Sequence, residues 1–279
     1  MSVRIIADSA ANLTPDIRQQ VYTVAMTVHF GDEEYIEGVT IDHTAFYQKL
    51  IESDAMPSTS QATPAAFAEV YDRVCAAGES AVVITMASKL SGTYQSAVIA
   101  AADYPDIVVV DSASVAMGEG VLVERALALR DAGLSAQEIA AALEEEKTRI
   151  IVVALLDTLE YLKRGGRISK TAAWAGAVLQ IKPVISVVDG EIRILGKARG
   201  SKMGNNLLAE ETERVGGIDF SLPVLLGYSG ISDALLLKYI EDSRAIWEGN
   251  LDEVRYTAIG SIIGTHCGPG TIAVAFFRK

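Results

Sequence analysis

ITMASKLSGTYQSAVIAA, residues 84–101, passes from a strand-like apolar run into an alanine-rich helical pattern through small hydroxylated residues. Val82, Val83 and Ile84 belong to the apolar run, and Ser91, Gly92 and Thr93 stand where the helix begins. A helix start here aims backbone N–H groups outward beside two hydroxyls, which is the chemistry of an anion site. It is equally the chemistry of a plain helix cap, in which Ser91 satisfies an N–H of the first turn. A strand feeding a helix across such a loop is the repeating unit of an α/β sheet, whose ligands collect outside the carboxyl ends of its strands.

The same texture extends in both directions. Strand-like segments fall at 3–8, 21–30, 81–86, 107–111 and 150–157, with helical patterns at 64–77, 91–103, 114–131 and 135–148. Short, almost continuously apolar runs suit strands covered on both faces. Thr14-Pro15 and Thr63-Pro64 each set a capping hydroxyl before a proline at the first helical position. This alternation predicts an α/β domain over 1–157 with a parallel sheet and right-handed crossovers.

Beyond that point the pattern changes. PVISVVDGEIRILG, 183–196, holds two extended runs about Asp189-Gly190, a two-residue hairpin signal. Helical patterns near 201–214 and 231–248 flank the strand-like PVLLGYS, and VRYTAIG and TIAVAFF end the chain around a glycine-rich loop. Residues 158–279 therefore predict a second domain of α+β type with antiparallel pairing.

The 279 residues suffice for one large or two moderate domains. Half are hydrophobic and 22% are charged, a globular composition rather than a disordered one. A net charge of −12 argues against a nucleic-acid surface. A small anionic ligand would meet repulsion at long range and needs local donors and well-placed cations. No apolar run reaches the length of a membrane span, and MSVRIIADSA enters a strand pattern without signal-peptide anatomy. Cys75 and Cys267 offer neither a disulfide framework nor metal-like spacing. Cys75 is expected to be buried on the helical face of Phe67, Val70, Tyr71 and Val74. These features predict a cytoplasmic protein.

Clusters of serine and threonine recur: DSAANL (8–13), STSQAT (58–63), SKLSGTYQS (88–96) and DSAS (111–114). Each alone reads as turn and cap chemistry, whereas several converging on one edge would form a polar cradle. In KRGGRISK (163–170), Gly165 and Gly166 end a helix and leave Arg167 on a loop, where its forked donors suit a carboxylate or phosphate, although the motif alone reads first as a C-cap with solvated basic residues. In GTHCGPG (264–270), glycines and a proline are expected to hold His266 on a loop between two strands, either as a ligand contact or proton donor or in a purely structural role. The three histidines, at 29, 43 and 266, lack metal-ligand spacing, and no Walker A pattern is present. GYSGI (227–231) does not match the nucleophile elbow. A Ser91–His266 nucleophile and base pair remains an alternative, an acyl ester or acyl phosphate hydrolase without an assigned acid.

Together ADSAANL, STSQATPAAF, SKLSGTYQSA, VVDSASVAMGEG, LEYLKRGGRIS, GKARGSKMG and IGTHCGPG, in that order along nearly the whole chain, resemble the DegV family of bacterial fatty-acid-binding proteins. The resemblance implies a three-layer α/β/α N-terminal domain with a parallel sheet, and a two-layer α+β C-terminal domain with a mixed sheet. It implies one long-chain fatty acid (palmitate, stearate or oleate) between them, its carboxylate at the interface and its tail in the second domain, with no cofactor or metal. Thr59 and Ser91 match the family's carboxylate-holding hydroxyls, with Gly92 and Thr93 beside them, and His266 matches the histidine near the head group. Arg167 matches the arginine facing head group and partner, while Arg199 and Lys202 are candidates for docking a fatty acid kinase. In characterised relatives the bound acid is presented to such a kinase and becomes an acyl phosphate, so the resemblance implies a non-catalytic carrier that touches membranes peripherally for lipid exchange. Asn12 stands where the opening motif commonly has aspartate, and Cys267 where the terminal loop usually has threonine.

Overall fold

The computed structural model describes residues 2–53, 55–168 and 181–279. Its strands in chain order are β1 (Val3–Asp8), β2 (Tyr22–Val24), β3 (Thr27–Phe30), β4 (Glu33–Ile36), β5 (Ser58–Ser60), β6 (Ser80–Thr85) and β7 (Ile107–Asp111). They continue with β8 (Ile150–Leu155), β9 (Ile181–Val188), β10 (Glu191–Arg199), β11 (Leu225–Tyr228), β12 (Tyr256–Ala258) and β13 (Ile272–Phe277). A four-stranded parallel sheet has the order β2-β1-β6-β7, and a six-stranded mixed sheet the order β10-β9-β8-β13-β11-β12. Every residue of β6, β8 and β13 is buried, as their unbroken apolar runs require.

The helix Met117–Asp131 lies between these two sheets, and eleven of its fifteen residues are buried. Its Val121, Leu122 and Ala126 share one core with Ile5, Val82 and Ile84 of the parallel sheet and with Val152, Ile185 and Ala275 of the mixed one. Burial on every side is what a central layer imposes, and here it takes in Glu119 and Glu124 along with the apolar residues. Asp189 and Gly190 both hold positive φ (51° and 71°), joining β9 to β10 by the tight hairpin that the sequence predicts.

Several expectations are corrected. The strand near 150–157, predicted for the parallel sheet, pairs with β9 and β13 in the mixed sheet. Its apolar run fits either sheet equally, and only pairing decides. The run 21–30 divides: β2 joins the parallel sheet, while β3 forms a three-stranded antiparallel sheet in the order β4-β3-β5. The helix expected over 114–131 starts at Met117, because Ala113 and Ala116 both take positive φ (49° and 57°). The pattern 231–248 divides into helices Ala234–Asp242 and Arg244–Trp247. Cys75 is exposed rather than buried. At 100° per residue it lies roughly a quarter-turn from the centre of the Phe67–Val70–Tyr71–Val74 stripe, beyond the buried arc. Ser169 and Lys170 of KRGGRISK lie outside the described residues. Among the described residues no helix is long and apolar enough to cross a membrane.

Candidate ligand-binding site

His266 is not on a loop between strands. It occupies the last turn of the helix Ser261–Cys267, with the glycines of GTHCGPG spread over that helix and its C-terminal turn. The helix is docked at its other end by Glu37, whose Oε1 accepts hydrogen bonds from the Ser261 hydroxyl and the Ile262 N–H, each at 3.0 Å. Burial pushes the Glu37 carboxyl upward, opposed by these hydrogen bonds. Just ahead of the helix, Tyr47 donates to the Ile259 carbonyl at 3.1 Å, and His43 places Nδ1 at 3.1 Å from the same oxygen.

So held, His266 reaches Thr59 on β5, with Thr59 Oγ1 and His266 Nε2 2.9 Å apart. The small sheet presents Thr59 through its register, Thr59 opposite Val28. Among the described residues, His266 Nδ1 is buried without a hydrogen-bond partner. Gly165 backs that nitrogen so closely that a side-chain carbon there would overlap it. Burial first, then the positive charge of Arg167, pushes the His266 pKa down to about 4, so the ring is neutral near pH 7. Arg167 is fixed beside it by Nε to the Leu90 carbonyl at 3.2 Å and Nη1 to the Gly165 carbonyl at 2.6 Å.

Ser91 precedes the cap of the helix Thr93–Ala101, and Gly92 is the cap residue. The Ser91 hydroxyl lies 2.9 Å from Thr93 Oγ1 and accepts from the Thr93 N–H at 3.3 Å. Gln61, unmarked by the sequence reading, donates to Ser96 Oγ at 2.9 Å and packs its Oε1 against Gly92, where a Cβ would overlap it. Its signal was its place in STSQAT, beside Thr59.

Thr59, Ser60, Gln61, Ser91, Gly92, Arg167 and His266 line one end of a cavity of about 360 Å³. The remaining lining is almost wholly apolar. Val152, Ala154, Leu156, Ile185 and Ala273 come from the mixed sheet and its margin; Ile259, Ile262 and Ile263 from around the histidine helix; Met26, Met86 and Met117 from the N-terminal half. The cavity thus has a polar end and a greasy body, a form suited to an amphiphile.

The sequence candidates separate accordingly. Thr59, Ser91, Gly92, Arg167 and His266 converge on the cavity; Thr93 is buried behind Ser91, its hydroxyl toward Met26 Sδ at 3.9 Å. Arg199 and Lys202 are exposed at the end of β10 and the start of helix Gly200–Arg214, away from the lining. Of the serine and threonine clusters, STSQAT and SKLSGTYQS supply the cradle. DSAANL performs turn chemistry: Asp8 accepts from the Ala10 and Met86 N–H groups at 2.9 Å, and Ser9 Oγ from Met26 N–H at 3.0 Å. The Ser91–His266 pair of the hydrolase alternative is not formed, since Nε2 bonds Thr59 and, among the described residues, no acid meets Nδ1. Among the described residues no cluster of histidine, cysteine and carboxylate side chains could hold a metal ion.

A parallel and a mixed sheet sharing one buried helix, with a cavity between them that is polar at one end, define a two-sheet α/β class with an amphiphilic interior. The chain belongs to the DegV family: a family model described as "Uncharacterised protein, DegV family" matches residues 2–279. A DegV domain-containing protein of Caldanaerobacter subterraneus is 32% identical over 283 residues, covering 99% of each chain. Among solved structures, the fatty-acid-binding DegV family protein of Thermus thermophilus has a TM-score of 0.88 at 30% identity, covering 99% of this chain and 100% of its own. A stearic acid-binding protein of Eubacterium ventriosum has a TM-score of 0.88 at 27% identity, covering 99% and 98%.

Proposed function

We propose that this protein binds a long-chain fatty acid, its carboxylate at Thr59, Ser91 and His266 and its tail in the cavity body. The observation that carries the reading is the cavity itself, apolar except at one end, where hydroxyls, a neutral histidine and an arginine meet. The fatty-acid-binding relatives from Thermus and Eubacterium share the fold over nearly the whole chain, which supports the same ligand class. Burying ~14 methylenes at ~0.8 kcal/mol each contributes roughly 11 kcal/mol gross, from which association costs are subtracted. The tail therefore supplies most of the affinity, and the polar end sets direction.

The same reading makes the protein a carrier rather than a catalyst. Neither Ser91 nor His266 is arranged for nucleophilic attack, as their hydrogen bonds run to Thr93 and Thr59. In keeping with the family resemblance, this reading has a separate fatty acid kinase phosphorylate the presented carboxylate, with Arg167 at the polar end and the outlying Arg199 and Lys202 as docking cations. Titrating delipidated protein with palmitate and with methyl palmitate tests the reading. The acid should bind tightly and the ester at least tenfold more weakly; equal affinities would remove the head-group assignment.

A further inference from the structure

Strand pairing orders the cavity floor along its length. The polar end lies near Leu156 and Thr271, just beyond the end of β8 and before the start of β13. One step inward, Ala154 stands opposite Ala273, with Ile185 on the other side of Ala154 and Gly227 on the other side of Ala273. Two residues further, Val152 stands opposite Val187. Because side chains alternate, these residues share one face, in steps of roughly 6–7 Å.

The inner step is hollow because its residues are small. Ala154 and Ala273 line the cavity side by side, while neighbouring Gly227 is filled from above by Met117, whose sulfur a Cβ at position 227 would overlap. The farther step is narrower. Gly118 brings the central helix down onto Val152 so tightly that a Cβ at position 118 would overlap a Val152 methyl. Floor and roof meet at Val152, while Val187 and Ile192 beside it on β9 and β10 still line the cavity.

Resting on the fatty-acid reading above, we propose that Ala154 and Ala273 form a gauge for the acyl chain, with Val152 beneath Gly118 as the constriction beyond it. Over the floor from Leu156 to Val152, about 13 Å, an extended chain advancing roughly 1.3 Å per carbon lays down about ten carbons, and the remaining carbons of a palmitate-length acid run on past Val187 and Ile192, which line the cavity beside Val152. The alanine pair admits the middle of that run, and Val152 narrows its far part. A leucine at position 273 adds roughly three carbons of side-chain volume to a packed interior and displaces a similar number of methylenes.

The test offers delipidated protein an equimolar mixture of saturated acids from lauric to stearic, and identifies the bound species by native mass spectrometry. Ala273→Leu should move the bound distribution toward shorter acids by about two to four carbons. Val152→Ala, which opens space rather than filling it, should move it toward longer ones. Ala154→Val, a milder filling, should move it in the same direction as Ala273→Leu, and thermal melts establish that each variant is folded. Wild-type protein that binds acids while all folded variants keep the same distribution overturns the gauge alone. Wild-type protein that takes up none of the acids overturns the ligand reading and the gauge with it.

Discussion

Thr59 Oγ1 and His266 Nε2 meet at 2.9 Å across 207 residues of sequence. The contact joins the small antiparallel sheet to the penultimate element of the chain, beside the start of the helix Thr93–Ala101. The polar end of the cavity therefore exists only in the folded protein, built from a short strand, two separated loops and a short helix. Glu37, following the same small sheet, anchors the far end of the histidine helix.

Removing either hydroxyl of the cradle should weaken fatty-acid binding. A carboxylate deprived of a charge-assisted partner loses ~1–3 kcal/mol, so Thr59→Ala and Ser91→Ala should each raise the dissociation constant by about 5- to 150-fold. Calorimetric titration with palmitate reads this directly. Were Ser91 only supporting its helix, Ser91→Ala would lower stability by about 1 kcal/mol and leave affinity unchanged.

In delipidated protein His266 should titrate near pH 4 in the folded state, against its ordinary 6.5. Between these values the unfolded chain binds the proton and the folded chain does not, so this group's contribution to stability is complete above about 6.5 and is lost as pH falls through about 4. Following the His266 ring resonances by NMR across that range checks the value. A midpoint close to 6.5 would mean that the ring is neither buried nor facing Arg167 as described.

Glu37→Ala should destabilise the fold by about 1–3 kcal/mol, because it strands the Ser261 hydroxyl and the Ile262 N–H in a buried place. Glu37→Gln keeps an acceptor oxygen and should recover part of that loss. Chemical denaturation of the three proteins measures it, and equal stability of wild type and Glu37→Ala would show the anchor to be idle.

Gly165→Ala tests the back wall of the histidine. The added methyl overlaps His266 Nδ1, so the ring must move and the Thr59 contact must lengthen. Gly165 has ordinary helical φ (−69°), so the backbone itself accepts alanine. Fatty-acid affinity should fall by about as much as in Thr59→Ala, with thermal stability changed by less than about 1 kcal/mol. Unaltered affinity would separate Gly165 from the head-group site.

Much of this was legible in the chain. The apolar runs of β1, β6 and β7 and the Asp189-Gly190 turn carry strong local signals, and they form as read. The mixed-sheet membership of β8 was not legible, because an apolar strand does not state its neighbours. His266 was misplaced for a local reason: glycines at 264, 268 and 270 suggest a loop, yet Gly264 lies within a helix docked against Phe46 and Tyr47, where a Cβ would overlap both rings. Glu37 was invisible, because GDEEYIEG reads as solvated charge and only tertiary packing singles out one carboxylate for burial. The cradle residues Thr59 and Ser91 were marked by hydroxyl clusters and family motifs, whereas Gln61 differs from a surface glutamine only in what it touches.

The most direct measurement is native mass spectrometry of the protein as purified, followed by denaturation and identification of any released lipid. An apolar cavity left empty forfeits contacts with its lining, so the account predicts about one long-chain fatty acid per chain, released as the free acid. Protein that purifies without lipid, and that also fails to take up palmitate or oleate when they are supplied, would contradict it.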